Sequence, residues 1–263
     1  MRCRRTGPDD IPALTALWQE AFGDSEPEIA RFFETVRPDS EGFAAEEDGV
    51  LASMLFALPV TLAAGDQTVS ASYFYAVATL RAYRGRGLAR ALMAYAEKRL
   101  QKDGVRAVLL VPGEVSLVQF YEPLGYTGRT YLTENYAEGV EARGMGQMVT
   151  PIEYAGLRET LLGTGPHVRY SLPQLRYEQT AKTFYALRLG DRAGCAAAAA
   201  EGGRIVVDEL LPDLSMLPAL AAVLPGQEYC LRSPGKSRAF GMVKWLSQPE
   251  PGFGEPYLAF AFE

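Results

Sequence analysis

Between Tyr73 and Arg90 a strand-like run gives way to a helix, and the junction between them is Arg84-Gly85-Arg86-Gly87. Glycines at such a junction let backbone N–H groups approach an anion, and the helix N-terminus adds about half a positive charge. Arg81, Arg84, Arg86 and Arg90 concentrate cationic charge at the same place. The chain as a whole leans the other way, with 26 Lys and Arg against 32 Asp and Glu and a formal net charge of −6. A cluster of arginines around a glycine turn, set in an acidic chain, predicts a pyrophosphate site. The acid excess argues against nonspecific nucleic-acid binding, which needs a dense basic field.

Other phosphate-binding loops do not match. In a dinucleotide fingerprint Arg90 stands where the third glycine belongs, and the next strand ends in Pro112 rather than in an acidic residue. No Walker GxxxxGK[ST] occurs, and Gly235-Lys236-Ser237 lacks the upstream glycine. The single histidine, His167, argues against a Ser-His-Asp triad or a multi-histidine metal centre, and no metal is expected. Cys3, Cys195 and Cys230 are far apart and odd in number, which reads as thiols in a reducing compartment. The apolar stretch from Val50 to Gly65 is broken by Pro59 and falls short of the ~18 residues that span a bilayer. Pro8, Asp9 and Asp10 follow the basic N-terminus where a signal peptide would turn apolar. These features predict a cytoplasmic protein with no membrane partner.

Periodicity and turn signals predict a strand at Arg2–Arg5, then two helices. The first runs from Asp9 or Asp10 to Gly23, with Ile11, Leu14, Leu17, Trp18 and Phe22 on one face. The second opens at the capping box Ser25-Glu26-Pro27-Glu28 and stops at Pro38. Strands follow at 43–46, 50–58, 61–64 and 68–80, with turns at Asp48-Gly49 and Gly65-Asp66. A helix at 87–102, a strand at 107–111, a short helix at 115–121 and a strand from Tyr126 to about Leu132 complete a mixed α/β domain.

Two segments of that domain give it a resemblance. Arg84-Gly85-Arg86-Gly87-Leu88-Ala89 resembles the Arg/Gln-x-x-Gly-x-Gly/Ala signature of the GNAT superfamily of N-acetyltransferases. Phe120-Tyr121-Glu122-Pro123-Leu124-Gly125-Tyr126 resembles that family's second, aromatic-Tyr-x-x-x-Gly-Phe/Tyr run. The two stand in the family's order, and the resemblance covers about residues 1–135.

The resemblance implies a GNAT acyl-CoA N-acyltransferase fold that takes acetyl-CoA as co-substrate. It implies that Val77, Ala78 and Thr79 offer backbone groups to the pantetheine arm and the acetyl carbonyl. Arg84, Gly85, Arg86, Gly87, Leu88, Ala89 and Arg90 would wrap the pyrophosphate through main-chain N–H groups, and Pro112, Gly113 and Glu114 would line the opposite side. Tyr121 matches the tyrosine that protonates the departing thiolate, while a backbone oxyanion site near Val77–Thr79 would hold the tetrahedral intermediate. The fourth strand lacks the glutamate that many members use as base, since 70–80 contains no carboxylate. Glu114, Tyr73 or Tyr75 through water, and Glu263 remain open as bases.

Residues 150–263 repeat the alternation without either glycine signature. Expected there are helices at 151–162, from the capping box at Ser171, and near 215–223. Strands are expected at 184–189, 193–200, 204–210, near Tyr229, at 240–245 and at 257–262. This predicts two domains, a catalytic one over 1–140 and a smaller, degenerate GNAT-like one over 150–263, as in tandem GNAT proteins of the Eis type. Residues 139–150 read as the linker. The acceptor is then a small-molecule or peptide primary amine. The rival readings are a noncatalytic acyl-CoA-binding sensor and a partner-binding protein. The oligomeric state is open, a homodimer being one form.

Overall fold

Strand β1 (Arg2–Arg5) leads into helix α1 (Ile11–Phe22), which has Pro12 in its first turn and stops at Gly23, held at φ 82°. Helix α2 (Glu26–Thr35) opens on the expected capping box, where the Glu28 carboxylate accepts from Ser25 N at 2.8 Å and from Ser25 Oγ at 2.6 Å. Then come β2 (Glu41–Glu47), β3 (Val50–Ala64), β4 (Gln67–Thr79), α3 (Leu88–Lys102), β5 (Ala107–Leu110) and the single-turn α4 (Val118–Tyr121). The computed structural model describes residues 1–262.

The chain divides into two units that exchange segments. The first holds Met1–Thr61, Val69–Thr127 and Val243–Pro249; the second holds Leu62–Thr68, Gly128–Met242 and Glu250–Glu263. In the first unit the strands lie in the order β1-β2-β3-β4-β5, with β1/β2 and β2/β3 antiparallel and β4/β5 parallel. Residues 243–249 run beside β5, where Leu246 N donates to Arg106 O at 2.8 Å. An aromatic core joins the helices to the sheet: the Trp18, Phe32 and Phe56 rings lie 4.9–5.6 Å apart, and all three side chains are buried. Burial of such rings is the main driving force for docking α1 and α2.

The second unit contains β6 (Gly128–Glu138), β7 (Met145–Met148), α5 (Pro151–Leu162), β8 (His167–Arg169), α6 (Leu172–Glu178), β9 (Thr183–Leu189), β10 (Arg192–Glu201), β11 (Arg204–Leu211), α7 (Leu217–Val223) and the bulk of β12 (Glu228–Trp245). Strand order there is β12-β11-β10-β9-β7, with β6 also on β12.

Four local expectations change. The strands at 50–58 and 61–64 are one strand of 15 residues: Pro59 lies past Ala57, where the registered pairing with β2 ends, so its missing N–H takes nothing from that ladder. The stretch 139–150 is not free linker: it contains β7, paired antiparallel to β9 from Met145↔Arg188 to Met148↔Tyr185. The strands near Tyr229 and at 240–245 are one strand of 18 residues running through Pro234-Gly235. A Cβ on Gly235 would stand 1.8 Å from Thr133 Oγ1, so only glycine lets β6 come this close. The expected strand at 257–262 is irregular backbone with one bridge, His167↔Tyr257. Two of its N–H groups find a side chain instead, with Ala259 N and Phe260 N both donating to the Tyr170 hydroxyl at 3.1 and 3.0 Å.

The second unit also carries an acid-sensitive cluster. Burial pushes the Glu159 carboxyl up, but hydrogen bonds from His167 Nε2 (3.2 Å) and Arg169 Nε (2.6 Å) outweigh it and bring it down to about 2. A depressed carboxyl contributes stability that is present above its unfolded value near ~4.3 and is lost as pH falls toward the folded one. The stability gap between wild type and Glu159→Gln is therefore expected to narrow between pH 5 and pH 2, read from urea midpoints. A gap that stays constant over that range would remove Glu159 from the acid response.

Candidate active site

Strands β4 and β5 share a ladder of only three registered pairs, Ala71↔Ala107, Ser72↔Val108 and Tyr73↔Leu109. Past it, Ala76 takes φ 49°, in the left-handed region that a non-glycine residue enters at a cost of about 1–2 kcal/mol. The end of β4 stays fastened to β3: the buried Ser53 hydroxyl donates to Ala78 O at 2.7 Å and lies 2.9 Å from Thr79 Oγ1, and Leu80 N donates to Ala52 O at 2.9 Å. A strand held on one side and kinked on the other opens a gap at the carboxyl ends of β4 and β5.

The gap continues into a cleft of about 1030 Å³, within the first unit. Val77, Ala78 and Thr79 line it, followed by Arg84, Gly85, Gly87, Leu88, Ala89 and Arg90. Gly85 and Gly87 sit at φ 77° and 79°, where a side chain would be strained, and a Cβ at either would meet nothing within 4 Å. Gly87 is the N-cap of α3 and has no side chain to accept from the first helical N–H groups. Those groups are thus left for an external acceptor. Arg84 is fixed by a hydrogen bond from its Nε to Thr79 O at 3.1 Å.

Arg86 is not among the residues lining the cleft, so its side chain adds no charge there, while the role implied for it rests on its main-chain N–H. Its guanidinium meets Glu47 Oε2 at 3.2 Å, donates to Ala82 O at 3.1 Å and lies 4.9 Å over the Tyr83 ring. Arg86 braces the turn from outside.

Gly113, Glu114 and Tyr121 also line the cleft, together with Leu117 and Phe120; Pro112 is not among the lining residues. Glu114 is exposed and accepts from Ser116 Oγ at 3.0 Å. Tyr121, 6% exposed, packs edge-on against Phe120 at 5.1 Å and Tyr126 at 5.9 Å. Burial pushes its phenol up to about 12. Behind it, the Tyr126 hydroxyl donates to Glu97 Oε1 at 2.9 Å, and Lys244 pairs with the other Glu97 oxygen. That buried chain sets the wall on which Tyr121 stands.

Of the remaining candidate bases, Tyr73 is buried and Tyr75 packs on Trp18 at 5.5 Å; neither lines the cleft. Glu263 lies outside the described residues. Sequence reasoning missed Ala21, Phe22, Tyr83, Leu117 and Phe120 as lining residues. The helical spacing puts Phe22 on one face of α1 with Leu14, Leu17 and Trp18. It is 49% exposed at the helix terminus, turned toward the cleft, and the Gly23 stop directly after it was the available signal.

A glycine turn at an uncapped helix start, parted parallel strands and a buried tyrosine on one cleft are the arrangement that both signatures imply. The acetyltransferase (GNAT) domain family matches residues 2–128. This segment is a GNAT acetyltransferase domain. No curated protein matches the chain. Among solved structures, it is similar to a probable N-acyltransferase from Enterococcus faecalis, at 16% identity and TM-score 0.75, covering 93% of this chain and 72% of that one. A GCN5-related N-acetyltransferase from Kribbella flavida follows at 16% and 0.71, with coverage of 93% and 72%. Eis1 from Mycobacterium abscessus gives 13% and 0.68, with coverage of 94% and 74%. The fold is accordingly mixed α+β and of the GNAT acetyltransferase kind, shared with Eis-like tandem proteins. No helix among the described residues is long and apolar enough to cross a membrane.

Proposed function

We propose that the chain transfers an acetyl group from acetyl-CoA to a primary amine by direct attack in a ternary complex. The observation that carries this is the convergence of the uncapped start of α3, the parted ends of β4 and β5, and Tyr121 on one cleft. Arg84, Arg90 and the N–H groups from Gly85 to Arg90 would take the diphosphate. Backbone groups of Val77–Thr79 would take the pantetheine arm and the carbonyl oxygen, with Gly113 and Glu114 opposite. The amine lone pair attacks the thioester carbon, and the oxyanion rests on backbone N–H groups. As the C–S bond breaks, Tyr121 gives its proton to sulfur. The proton lost by the amine goes to Glu114 or to water.

Residues 150–263 then form a degenerate second GNAT-like domain without a cofactor turn, a reading that the similarity to Eis1 supports. The free state of Cys3, Cys195 and Cys230 suits a reducing, cytoplasmic setting. One observation favours a second reading, a noncatalytic acyl-CoA sensor. Among the described lining residues the carboxylate is Glu114, which is exposed and already accepts from Ser116.

Calorimetry with acetyl-CoA, followed by thiol release with amines, separates these readings. Wild type is expected to bind and turn over. Gly87→Ala is expected to lose about 1 kcal/mol of stability and about tenfold in acetyl-CoA affinity, since its Cβ strains the turn and enters the phosphate path. Binding without turnover favours the sensor, and absence of binding overturns both.

A further inference from the structure

We propose that the acceptor is a monoamine with an apolar body seated against Phe22, rather than a polycation; this rests on the acetyltransferase reading above. The formal charge of −6 suggests an acidic surface ready for any cation, but the cleft does not share that balance. Its described lining carries the guanidinium groups of Arg84 and Arg90 and the carboxylate of Glu114. A bound diphosphate neutralises the two arginines. The other lining side chains include the carboxylate of Glu114 and a run of apolar groups, Ala21, Phe22, Leu117 and Phe120 among them.

The apolar part of that wall is open to solvent. Phe22 is 49% exposed and Leu117 37%. Exposed large apolar side chains gathered at a cleft mouth mark a surface that is covered in use. Glu20 and Asp24, beside Phe22 in the sequence, are not among the residues lining the cleft, and each has one oxygen held by the chain: Glu20 Oε1 accepts from Arg81 N at 2.7 Å, and Asp24 Oδ2 from Trp18 Nε1 at 2.7 Å. Trp18 is buried and meets the Phe22 ring edge-on at 6.1 Å, so the ring is presented on a rigid base. A substrate with three or four ammonium groups would lose hydration here without matching carboxylates. One amine on an alkyl or aryl body finds one carboxylate and an apolar wall.

Thiol release with 2-phenylethylamine, n-hexylamine and spermidine tests this. The kcat/KM for the two apolar amines is expected to exceed that for spermidine by about tenfold or more, the range one good apolar contact provides. Phe22→Ala should remove most of that preference, and Phe22→Leu should keep part of it, with the Kd for acetyl-CoA unchanged in both. Equal or better use of spermidine overturns the proposal, as does a preference that survives Phe22→Ala. Acetyl-CoA binding with no thiol release from any amine is a different failure: it removes the acetyltransferase reading itself.

Discussion

Replacing Tyr121 with Phe is expected to lower kcat by about 10²-fold or more while leaving the Kd for acetyl-CoA within about twofold. The residue is buried, its ring contacts survive the change, and what is lost is one proton donor on the wall of the cleft. Its phenol, pushed up to about 12 by burial, is fully protonated at any working pH. That same burial makes it a reluctant acid. A free thiol leaves with a pKa near ~8.5, so transfer to a fully formed, hydrated thiolate would run uphill by roughly 5 kcal/mol. The leaving sulfur, however, develops its charge against the same dry wall, which raises its own basicity. The hydrogen bond therefore counts most in the transition state, where charge on sulfur is partial and water is absent. Two results follow. The kcat of wild type should show no alkaline fall from Tyr121 below about pH 11, and the loss in Tyr121→Phe should appear in kcat rather than in binding. An unchanged kcat would take Tyr121 out of the reaction.

The parts of this site that local chemistry dictates were legible in the sequence. Gly85 and Gly87 take the positive φ that only glycine adopts freely, and Leu88 begins a helix with no capping side chain, as the spacing of the signature requires. The capping boxes at Ser25 and Ser171 open helices where they were expected. What could not be read depends on partners far away along the chain. Arg86 carries the same charge as Arg84, yet Glu47, 39 residues before it, draws it out of the cleft. The alternation at 257–262 looks like a strand, but Tyr170, about 90 residues earlier, takes two of its N–H groups. Pro59 and Pro234-Gly235 look like breaks, and tertiary contacts carry both strands through them. Arg158 and Glu209 left no pattern, because a charged residue gives no sign that it will be buried.

Replacing Arg158 with Met is expected to destabilise the second unit by about 3–5 kcal/mol, the loss that follows when one member of a buried ion pair is removed. Arg158 is 2% exposed and Glu209 is fully buried. Arg158 Nε donates to both Glu209 oxygens at 3.1 and 3.0 Å, and its Nη1 donates to Val168 O at 2.7 Å. The Tyr154 hydroxyl donates to the same carboxylate, and Tyr154 stacks on Phe184 with centroids 4.2 Å apart. The guanidinium also lies 5.0 Å over the Tyr170 ring, whose hydroxyl orders 259–260. Four elements thus meet at one charge pair: α5, β11, and the segments around Val168 and Phe260. Met fills much of the stem of Arg158 but leaves the Glu209 carboxylate in the core with only neutral phenols, Tyr154 and Tyr257, beside it. The penalty is mainly that of the stranded carboxylate, so the double variant Arg158→Met with Glu209→Leu should recover most of the loss. Urea denaturation of the two variants distinguishes the explanations. If the double variant is as unstable as the single one, the pair matters through its shape and its hydrogen bond to Val168 O, and charge compensation is not what holds this core.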